Sequence, residues 1–514
     1  MKRKSFVLFL LLFPFLSMAQ QQRDMSLSEA LKTAIERNLN IQLQRINLES
    51  AAISVEKTRA AYEPVVINNT GVSSVERESS SGIEGGTGFV ISNENLNFDT
   101  TFRKAEDFGL TWSVSFDNSR ADSNSSFAFG ESYGSVITFG FEQQLLRGFS
   151  RDLIIPRYDQ YVAEGNLEIS EYDLQVQIID IIQLTENAYW DLVYTIEQLK
   201  VTKQGLQLAQ QLYDQNKVKI EVGTLAPIEL VNTEAEIAAK ENEIVTAENN
   251  IRAAEDRLKR VLNLPAEQWA RLIVPSDSLY TPEIETDLDH DYQIALENRI
   301  ELRKNHRQVE NSKLEYRLRK NELKPELKIR GRYWATGSSN PEVNLDEFNR
   351  PIRDADGNIV LLSPSSYGDA FEEAYGFDIP SWSVDLDFTW TPFNKAAKLG
   401  LAQARANIRS GELNTELTQI TIREELRNAI RELESSLKTI RANEKTLKYR
   451  QENVKAELQK FQNGLSTNYR VSQVQNELSE AESQLIQSRV RYIKAAAAYH
   501  KAMGRLPEKR NLSM

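Results

Sequence analysis

The sequence predicts a mostly α-helical protein with a transmembrane β-barrel, assembled from two tandem repeats of one unit. Three observations lead to this fold class. The second half of the chain repeats motifs of the first half in the same order, long segments carry apolar residues every 3.5 positions, and the segments between them alternate apolar and polar residues with a period of two. Long solvated helices also explain why a chain of 514 residues has a mean hydropathy of only −0.48.

The two repeats are visible in short matching segments. Residues 34–41 align with 295–302 at an offset of 261, and the motif around Gly223 returns around Gly464 at an offset of 241. Each half reads as helix, β-region, long helix, glycine turn and helix. The predicted divisions are a signal peptide at 1–19, a first repeat at 20–275 (helices 28–62, 158–220 and 227–262; β-region 65–143), a second repeat at 276–507 (helices 289–323, 396–460 and 468–503; β-region 326–391) and a C-terminal tail at 508–514.

The helices carry the pattern of a coiled coil. Seam positions recur in steps of four and three from Ile178 to Tyr213, and again from Leu426 to Phe461. A sustained 3.5-residue repeat makes neighbouring helices supercoil along a narrow seam. A stripe of glutamates also follows the first glycine turn: Glu234, Glu241, Glu248 and Glu255. Such a stripe is typical of a solvated helix face, and its other use would be to line an aqueous space.

The segments between the helices alternate as strands do. Apolar residues at even positions from 108 to 116 and from 382 to 390 are separated by small or polar residues. This pattern fits strands with lipid on one side and water on the other. A soluble sheet packed on the helices is the alternative, but it would need a second apolar surface, and the polar helices offer none. The side chains expected to face the membrane are Trp112, Phe116, Phe139, Phe141, Trp382, Phe388 and Trp390.

The first β-region contains four candidate strands, at about 65–75, 95–102, 108–118 and 132–143. One chain supplies too few strands to close a barrel, and an open edge in lipid would leave backbone groups unsatisfied, so we expect several copies to share one barrel. For three copies the default expectation is a barrel of 12 strands, with the extra hairpin 95–118 projecting above the barrel or lining it. If that hairpin joins the barrel, three copies supply 18 strands.

The first residues have the pattern of a secretory signal. Lys2, Arg3 and Lys4 precede the apolar run 6–16, and Ala19 ends a small-residue cleavage motif. Eleven apolar residues are too few for a helix across about 30 Å of hydrocarbon. We therefore expect an exported protein, which is soluble in the periplasm, fully secreted or a membrane β-barrel.

Composition excludes several functional classes. The absence of cysteine rules out disulfides, zinc-thiolate sites and acylation of an N-terminal cysteine. His290, His306 and His500 are too scattered to form a metal-ligand pair, and a net charge of −12 argues against a nucleic-acid partner. No nucleophile elbow or phosphate loop occurs in the sequence. We expect no enzyme activity, no cofactor and no metal site.

Taken together, these features resemble the TolC-type outer-membrane efflux protein family (outer membrane factors). The resemblance covers nearly all of the chain after the signal peptide, and it rests on the order and duplication of weak motifs. These are residues 27–31 (LSEAL), 144–149 (QLLRGF), 222–227 (VGTLAP) and 463–467 (NGLST), together with the alanine-rich approach to Pro64. The family resemblance implies a homotrimer with its β-barrel in the outer membrane and its α-helical barrel in the periplasm. It also implies docking to an inner-membrane pump through a periplasmic adaptor protein.

The resemblance also implies where a gate lies. Family members carry an acidic residue six positions after the tip glycine, which forms a ring around the pore. Here Glu229 follows Gly223 by six positions, but Arg470 follows Gly464 by six, and Gln473 lies three further on. The expected gate is thus a ring of mixed charge at the two turns, formed by Gly223, Thr224, Glu229, Gly464, Arg470 and Gln473. In the alternative, Glu229 and Arg470 are solvated turn residues that face outward.

Two other functions remain open at this point. A structural or adhesive coiled-coil protein of the cell surface would share the helices, but it would not need two glycine turns at one end. A soluble periplasmic adaptor would need compact sandwich or lipoyl-like modules, whereas the β-regions here show one-sided alternation. The favoured function is a passive conduit of a tripartite efflux or type I secretion system, located in the outer membrane.

Overall fold

A computed structural model describes residues 22–79, 88–125, 128–348, 352–355 and 359–512. The expected signal peptide at 1–19 lies outside these residues. The chain divides into two compact units. The first unit combines Met1–Leu48, Ser170–Asn305 and Asn414–Met514, and the second combines Glu49–Ile169 and His306–Leu413. The two longest helices contribute residues to both units.

Helices make up most of the described chain. They are α1 (Leu27–Arg37), α2 (Leu39–Ala60), α3 (Tyr158–Glu221), α4 (Ile228–Leu262), α5 (Ala266–Trp269), α6 (Leu288–Asn298), α7 (Ile300–Asn321), α8 (Tyr367–Gly376), α9 (Lys395–Gln462), α10 (Asn468–Ala502) and α11 (Leu506–Lys509). Among the described residues, no helix is long and apolar enough to cross a membrane.

The strands are β1 (Gln22–Met25), β2 (Val65–Glu78), β3 (Val90–Ala105), β4 (Leu110–Ser125), β5 (Ala128–Gln144), β6 (Leu272–Pro275), β7 (Glu326–Ser339), β8 (Glu342–Val343), β9 (Leu361–Ser363) and β10 (Pro380–Thr389). The short strands pair as β1 with β6, in parallel, and β8 with β9, antiparallel. The remaining six strands form one antiparallel sheet in the order β10-β7-β5-β4-β3-β2.

Several equivalent elements of the two halves have equal lengths. The helices α2 and α7 have 22 residues each, α4 and α10 have 35, and the strands β2 and β7 have 14. The expected single helices 28–62 and 289–323 are each two helices in the structure. The first pair breaks at Asn38 and the second at Arg299, because the backbone of both residues leaves the helical region, with ψ near 129° and 117°.

The extra hairpin of the first half is part of the sheet. Strand β3 pairs with β2 along Val90–Arg103 and with β4 along Asn93–Ala105, and β4 pairs with β5 over its full length. The default expectation that hairpin 95–118 stays outside is therefore wrong. Each chain contributes six sheet strands rather than four, because the aromatic alternation of β4 continues the apolar face of its neighbours.

The first unit has its hydrophobic core around Tyr189 and Trp190 of α3, whose rings meet edge to face at 5.5 Å. The hydroxyl of Tyr189 lies 2.6 Å from Oδ2 of Asp277 and 3.0 Å from the carbonyl of Met25. Burial, followed by the hydrogen bond with Asp277, raises the pKa of Tyr189, so the phenol stays protonated. These contacts tie the last residue of β1 and the segment after β6 to the middle of α3.

The heptad seams are buried where the helices pack. Ile182, Leu192, Leu426, Leu433 and Phe461 are almost fully covered. The glutamate stripe is solvated at its first three positions, but Glu255 is 3% exposed and pairs with Lys259 at 2.8 Å. Its carboxylate also accepts the backbone N–H of Ile273 in β6 at 2.8 Å. Glu255 is therefore a structural residue that anchors β6, and only the other three glutamates form a solvated face.

Candidate functional site

The two glycine turns have the same backbone geometry. Gly223 and Gly464 both have φ of 76°, a left-handed conformation that glycine adopts without the strain a side chain would bring. The residue after each glycine closes the helix, since Thr224 N–H donates to the carbonyl of Lys219 and Leu465 N–H to that of Lys460, both at 2.8 Å. Gly223 N–H also donates to the carbonyl of Ile220, and Gly464 N–H to that of Phe461, which completes in each turn the bond pair of a Schellman motif.

The helices that follow the turns begin differently. Thr467 caps α10, because its hydroxyl accepts the backbone N–H of Arg470 at 3.3 Å. Pro227 precedes α4 and supplies no side-chain cap. The hydroxyl of Thr224 is used instead at the end of α3, where it donates to the carbonyl of Lys219 at 3.0 Å. Thr224 therefore stabilises the end of the first long helix.

A buried polar cluster joins the starts of α4 and α10. Asn216 of α3 is fully buried, and its Nδ2 donates to Oδ1 of Asn468 at 2.8 Å and reaches Oγ1 of Thr233 at 3.4 Å. Nδ2 of Asn468 in turn donates to the carboxylate of Glu229 at 3.2 Å. Because buried polar groups are costly unless paired, this cluster fixes how the three helices meet. Neither Asn216 nor Asn468 was predicted. No signal marked them, because both positions lie outside the apolar seams that the 3.5-residue repeat identifies.

Glu229 and Arg470 have different partners within one chain. Glu229 contacts Asn468, while Nη1 of Arg470 donates to Oε1 of Gln473 at 2.9 Å. Asn468, the partner of Glu229, and Arg470 are about 200° apart around the helix, so the side chains of Asn468 and Arg470 point to opposite sides of α10. Gln473 continues the chain of contacts, donating to Glu477 at 3.0 Å. The structure thus leaves a Glu229–Arg470 contact to neighbouring copies, and the expected mixed ring remains a prediction.

Charged groups of α9 lie beside Arg470. The hydroxyl of Ser466 donates to the carboxylate of Glu457 and is the main cause of its lowered pKa, to which the charges of Lys460 and Arg470 also contribute. On the other long helix, burial lowers the pKa of Lys219, whose Nζ donates to the carbonyl of Phe461 at 2.6 Å and lies 3.6 Å from its ring centre. These contacts hold the ends of α3 and α9 together.

Apolar side chains are exposed around both turns. Val222 and Leu465 are 68% and 77% exposed, and Tyr469 is 78% exposed. In a coiled-coil segment such residues would normally be in the seam. In the single chain they form an exposed apolar surface beside the two turns, and such a surface favours contact with another protein.

The six-stranded sheet has one apolar and one polar face. Its register places Trp112 opposite Phe141, Phe116 opposite Ile137 and Trp382 opposite Tyr333. With Phe139 and Phe388, the predicted membrane-facing residues of the strands therefore lie on one face, and Trp390 follows the last residue of β10 by one position. The structure brings these residues together, and their contact with lipid remains a proposal.

The opposite face carries the charges. It contains Arg103, Arg330, Arg332, Asp385 and Asp387, all of which alternate with residues of the apolar face. Nε of Arg330 pairs with Asp387 at 2.7 Å across β7 and β10. A face of paired and unpaired charges is suited to contact with water. No group of three or more acidic, histidine or cysteine side chains that could hold a metal ion occurs among the residues that the structure describes.

Comparison with solved structures supports the fold. The channel CmeC of Campylobacter jejuni has 14% identity and a TM-score of 0.64, over 95% of this chain and 90% of that one. The outer membrane protein VceC of Vibrio cholerae has 11% identity and a TM-score of 0.63, over 93% and 96%. The open state of the channel MtrE of Neisseria gonorrhoeae has 14% identity and a TM-score of 0.62, over 93% and 89%.

The sequence itself carries the family assignment. No curated protein matches the chain. The family model described as outer membrane efflux protein matches residues 107–264 and 292–505, well over half of the chain. The chain therefore belongs to the outer membrane efflux protein family, and it is a protein of the outer membrane.

Proposed function

We propose that the protein is the passive outer-membrane conduit of a tripartite efflux or type I secretion system, driven by an inner-membrane pump. The observation that carries the proposal is the single amphipathic sheet of six strands, connected at one end to long helices. An aromatic face and a charged face on the same strands suit a wall between lipid and water. A surface adhesin has no use for such a sheet, although that remains the alternative function.

The proposal includes a homotrimer. Within the described residues the sheet ends in two edge strands, β2 and β10, rather than closing on itself. In hydrocarbon each unpaired backbone group costs several kcal/mol, so the edges must pair with another chain. Strands β2 and β10 run in opposite directions, so β2 of one copy can pair antiparallel with β10 of the next. Three copies would then supply 18 strands.

The two turns would form the periplasmic mouth. The exposed apolar side chains Val222, Leu465 and Tyr469 offer the surface on which a periplasmic adaptor protein would dock. Glu229, Arg470 and Gln473 would line or flank the closed constriction. The aromatic face of the sheet would contact the outer-membrane lipid.

Reconstitution tests this function directly. The purified mature chain, extracted in mild detergent, should migrate as a trimer that dissociates on heating and should give discrete conductance steps in planar lipid bilayers. A photocrosslinker at Leu465 should capture the adaptor in cells that carry the pump. A monodisperse monomer with an intact sheet and no conductance would favour the adhesin.

A further inference from the structure

Helix α8 lies on the apolar face of the sheet. Its two buried residues, Ala370 and Ala374, pack on β7 at Gly337. A Cβ added to Gly337 would lie 1.9 Å from the carbonyl oxygen of Ala370, so only glycine allows this approach. In the register, Gly337 belongs to the same face as Tyr333 and Trp382, which is the face that the proposed function assigns to lipid.

The two ends of α8 sit at different depths on this face. At the N-terminal end, Tyr367 meets Tyr133 with ring centres 6.2 Å apart, and Ser366 N–H donates to Oγ of Ser339 at 2.9 Å. At the C-terminal end, Phe377 stacks on Tyr333 at 5.5 Å and on Phe139 at 6.2 Å. The helix therefore runs along the strands, from the far end of the sheet toward its helix-connected end.

This path crosses the limit of the apolar face. Along β4 the face changes from Phe116 to Asn118, and along β5 it changes from Ile137 to Ser135. Beyond that limit the face is charged, since Arg120 pairs with Glu131 and Glu131 accepts the hydroxyl of Tyr133 at 2.7 Å. The helix thus begins beside charged groups and ends among aromatic ones.

The apolar run of β4 on this face is short. It covers seven residues, Leu110 to Phe116, whereas a tilted strand needs roughly 9–11 residues to span the hydrocarbon. Helix α8 adds an aromatic stripe where this run ends. Tyr367, Phe371 and Tyr375 follow one another at i, i+4 and i+8, with Phe371 and Tyr375 ring centres 4.3 Å apart. Tyr375 stacks on Phe116 at 6.1 Å, so the stripe continues the apolar surface of the strand.

The stripe is not fully covered by the chain. Tyr367, Phe371 and Tyr375 are 43%, 40% and 49% exposed. A second copy is an unsuitable partner, because α8 lies over β7 and β5 and reaches β4, and none of these is an edge strand at which copies would pair. Tyrosine and phenylalanine at the rim of an apolar band are the residues that favour the membrane interface.

We propose that α8 is an interfacial helix which inserts its aromatic stripe into the outer leaflet, on the lipid-facing side of the sheet. This inference rests on the proposed membrane location of the sheet. Its partner is lipid, at the level where acyl chains meet headgroups. Asp369, which lies about 200° around the helix from Phe371, is exposed on the side of the helix away from the stripe.

Spin labels on single cysteines test the helix in the reconstituted full-length trimer. Because the chain has no cysteine, each variant carries one label. In phosphatidylcholine–phosphatidylglycerol vesicles, labels at Phe371→Cys and Tyr375→Cys should collide more with oxygen than with a water-soluble nickel chelate. The label at Asp369→Cys, the matched control on the same helix, should show the reverse. Trp382→Cys on β10 serves as the lipid reference.

The outcomes separate the two proposals. Nickel access exceeding oxygen access at 371 and 375, with lipid contact retained at 382, would place α8 in water and overturn the inference alone. Exclusion of both reagents at 371 and 375 would mean that protein covers the stripe, which also overturns it. Nickel access at 382 as well would reject the membrane location of the sheet, and with it the proposed function.

A second variant changes the glycine on which α8 packs and leaves the aromatic stripe unchanged. Gly337→Ala should displace α8 and lower the oxygen-to-nickel ratio at residue 371, while the ratio at 382 stays unchanged. Gly71→Ala in β2 is the matched control, because a Cβ there would meet no atom within 4 Å. If the oxygen-to-nickel ratio at residue 371 is unchanged in Gly337→Ala, then packing on Gly337 does not set the position of the helix.

Discussion

Asn38 and Arg299 occupy equivalent positions in the two halves, where each marks a break between two helices. The side chain of Asn38 binds the end of α4, and the side chain of Arg299 binds the end of α10. Nδ2 of Asn38 donates to the carbonyl of Val261 at 2.8 Å, and Nη1 of Arg299 donates to the carbonyl of Ala502 at 3.4 Å. The last carbonyls of a helix lack partners within that helix, so both side chains satisfy groups that would otherwise stay unpaired. Two different residues at equivalent positions thus make the same kind of contact, a side-chain donor to a carbonyl at the end of a helix.

Asn38→Ala should destabilise the first unit by about 1–3 kcal/mol, because it leaves a buried carbonyl without its donor. Asn38 is 6% exposed, and its Oδ1 also accepts the backbone N–H of Asn40 at 2.9 Å. The midpoint of denaturant unfolding followed by circular dichroism measures the loss. Asn40→Ala is the matched control, because it makes the same change at an exposed side chain two residues further along the chain. Equal midpoints for the two variants would show that the Asn38 contact contributes nothing.

The helices and most strands could be predicted from the sequence because their signals are periodic. The long helices were placed within about two residues, since a 3.5-residue repeat and a glycine turn mark their course and their ends. The breaks at Asn38 and Arg299 could not be placed. Neither residue is a helix breaker, and what stops the helix is a distant carbonyl at Val261 or Ala502.

Helix α8 was hidden for a different reason. Its stripe at Tyr367, Phe371 and Tyr375 and its cap at Ser366 are visible in the sequence, but they lie within a region whose dominant period is two. The position of Gly337 opposite Ala370 depends on strand register, which alternation alone does not specify. Likewise, Asn216 and Asn468 meet only because α3 and α10 pack side by side.

The Glu229–Asn468 contact should hold the closed tip. We expect Glu229→Ala to raise the leak conductance in planar bilayers, because it removes a hydrogen bond worth about 1 kcal/mol, roughly a fivefold change in an equilibrium. Asn468→Ala should leak more, because it removes this bond and also the one from Asn216. The double variant should leak no more than Asn468→Ala, since Glu229→Ala breaks only a contact that Asn468→Ala has already broken. Glu241→Ala, on the solvated part of the glutamate stripe, is the control. Additive effects in the double variant would show that the two residues act separately.

Arg470→Asp should raise the cation selectivity of the channel. Three arginines would be replaced by three carboxylates at the mouth, and a ring of one sign focuses the field that attracts cations. The new aspartate would also lie near Glu457, whose pKa the arginine now helps to lower, so we expect some loosening of the closed turn.

Reversal potentials in a salt gradient measure this selectivity. Arg470→Gln separates loss of the positive charge from gain of the negative one. Lys448→Asp makes the same charge change on an exposed residue of α9, about 20 Å along the helix from the turn. Equal selectivity in the Arg470→Asp and Lys448→Asp variants would mean that the constriction lies elsewhere.

His500 should make the first unit sensitive to mild acid. It is partly buried near the end of α10, and its burial, followed by the charges of Lys509 and Arg510, lowers its pKa to about 4. In the unfolded chain the pKa of a histidine is about 6.5, so between those values the unfolded state binds a proton that the folded state refuses. The contribution of neutral His500 to stability is therefore complete above about pH 6.5, and it is lost as the pH falls toward 4.

His500→Gln cannot be protonated and should lose less thermal stability than the natural chain between pH 7.5 and pH 5. Comparing the two chains at each pH cancels the carboxylates that titrate in the same range. His306→Gln, at an exposed position of α7, should follow the natural chain, and a parallel decline in all three proteins would show that His500 is not the acid-sensitive group.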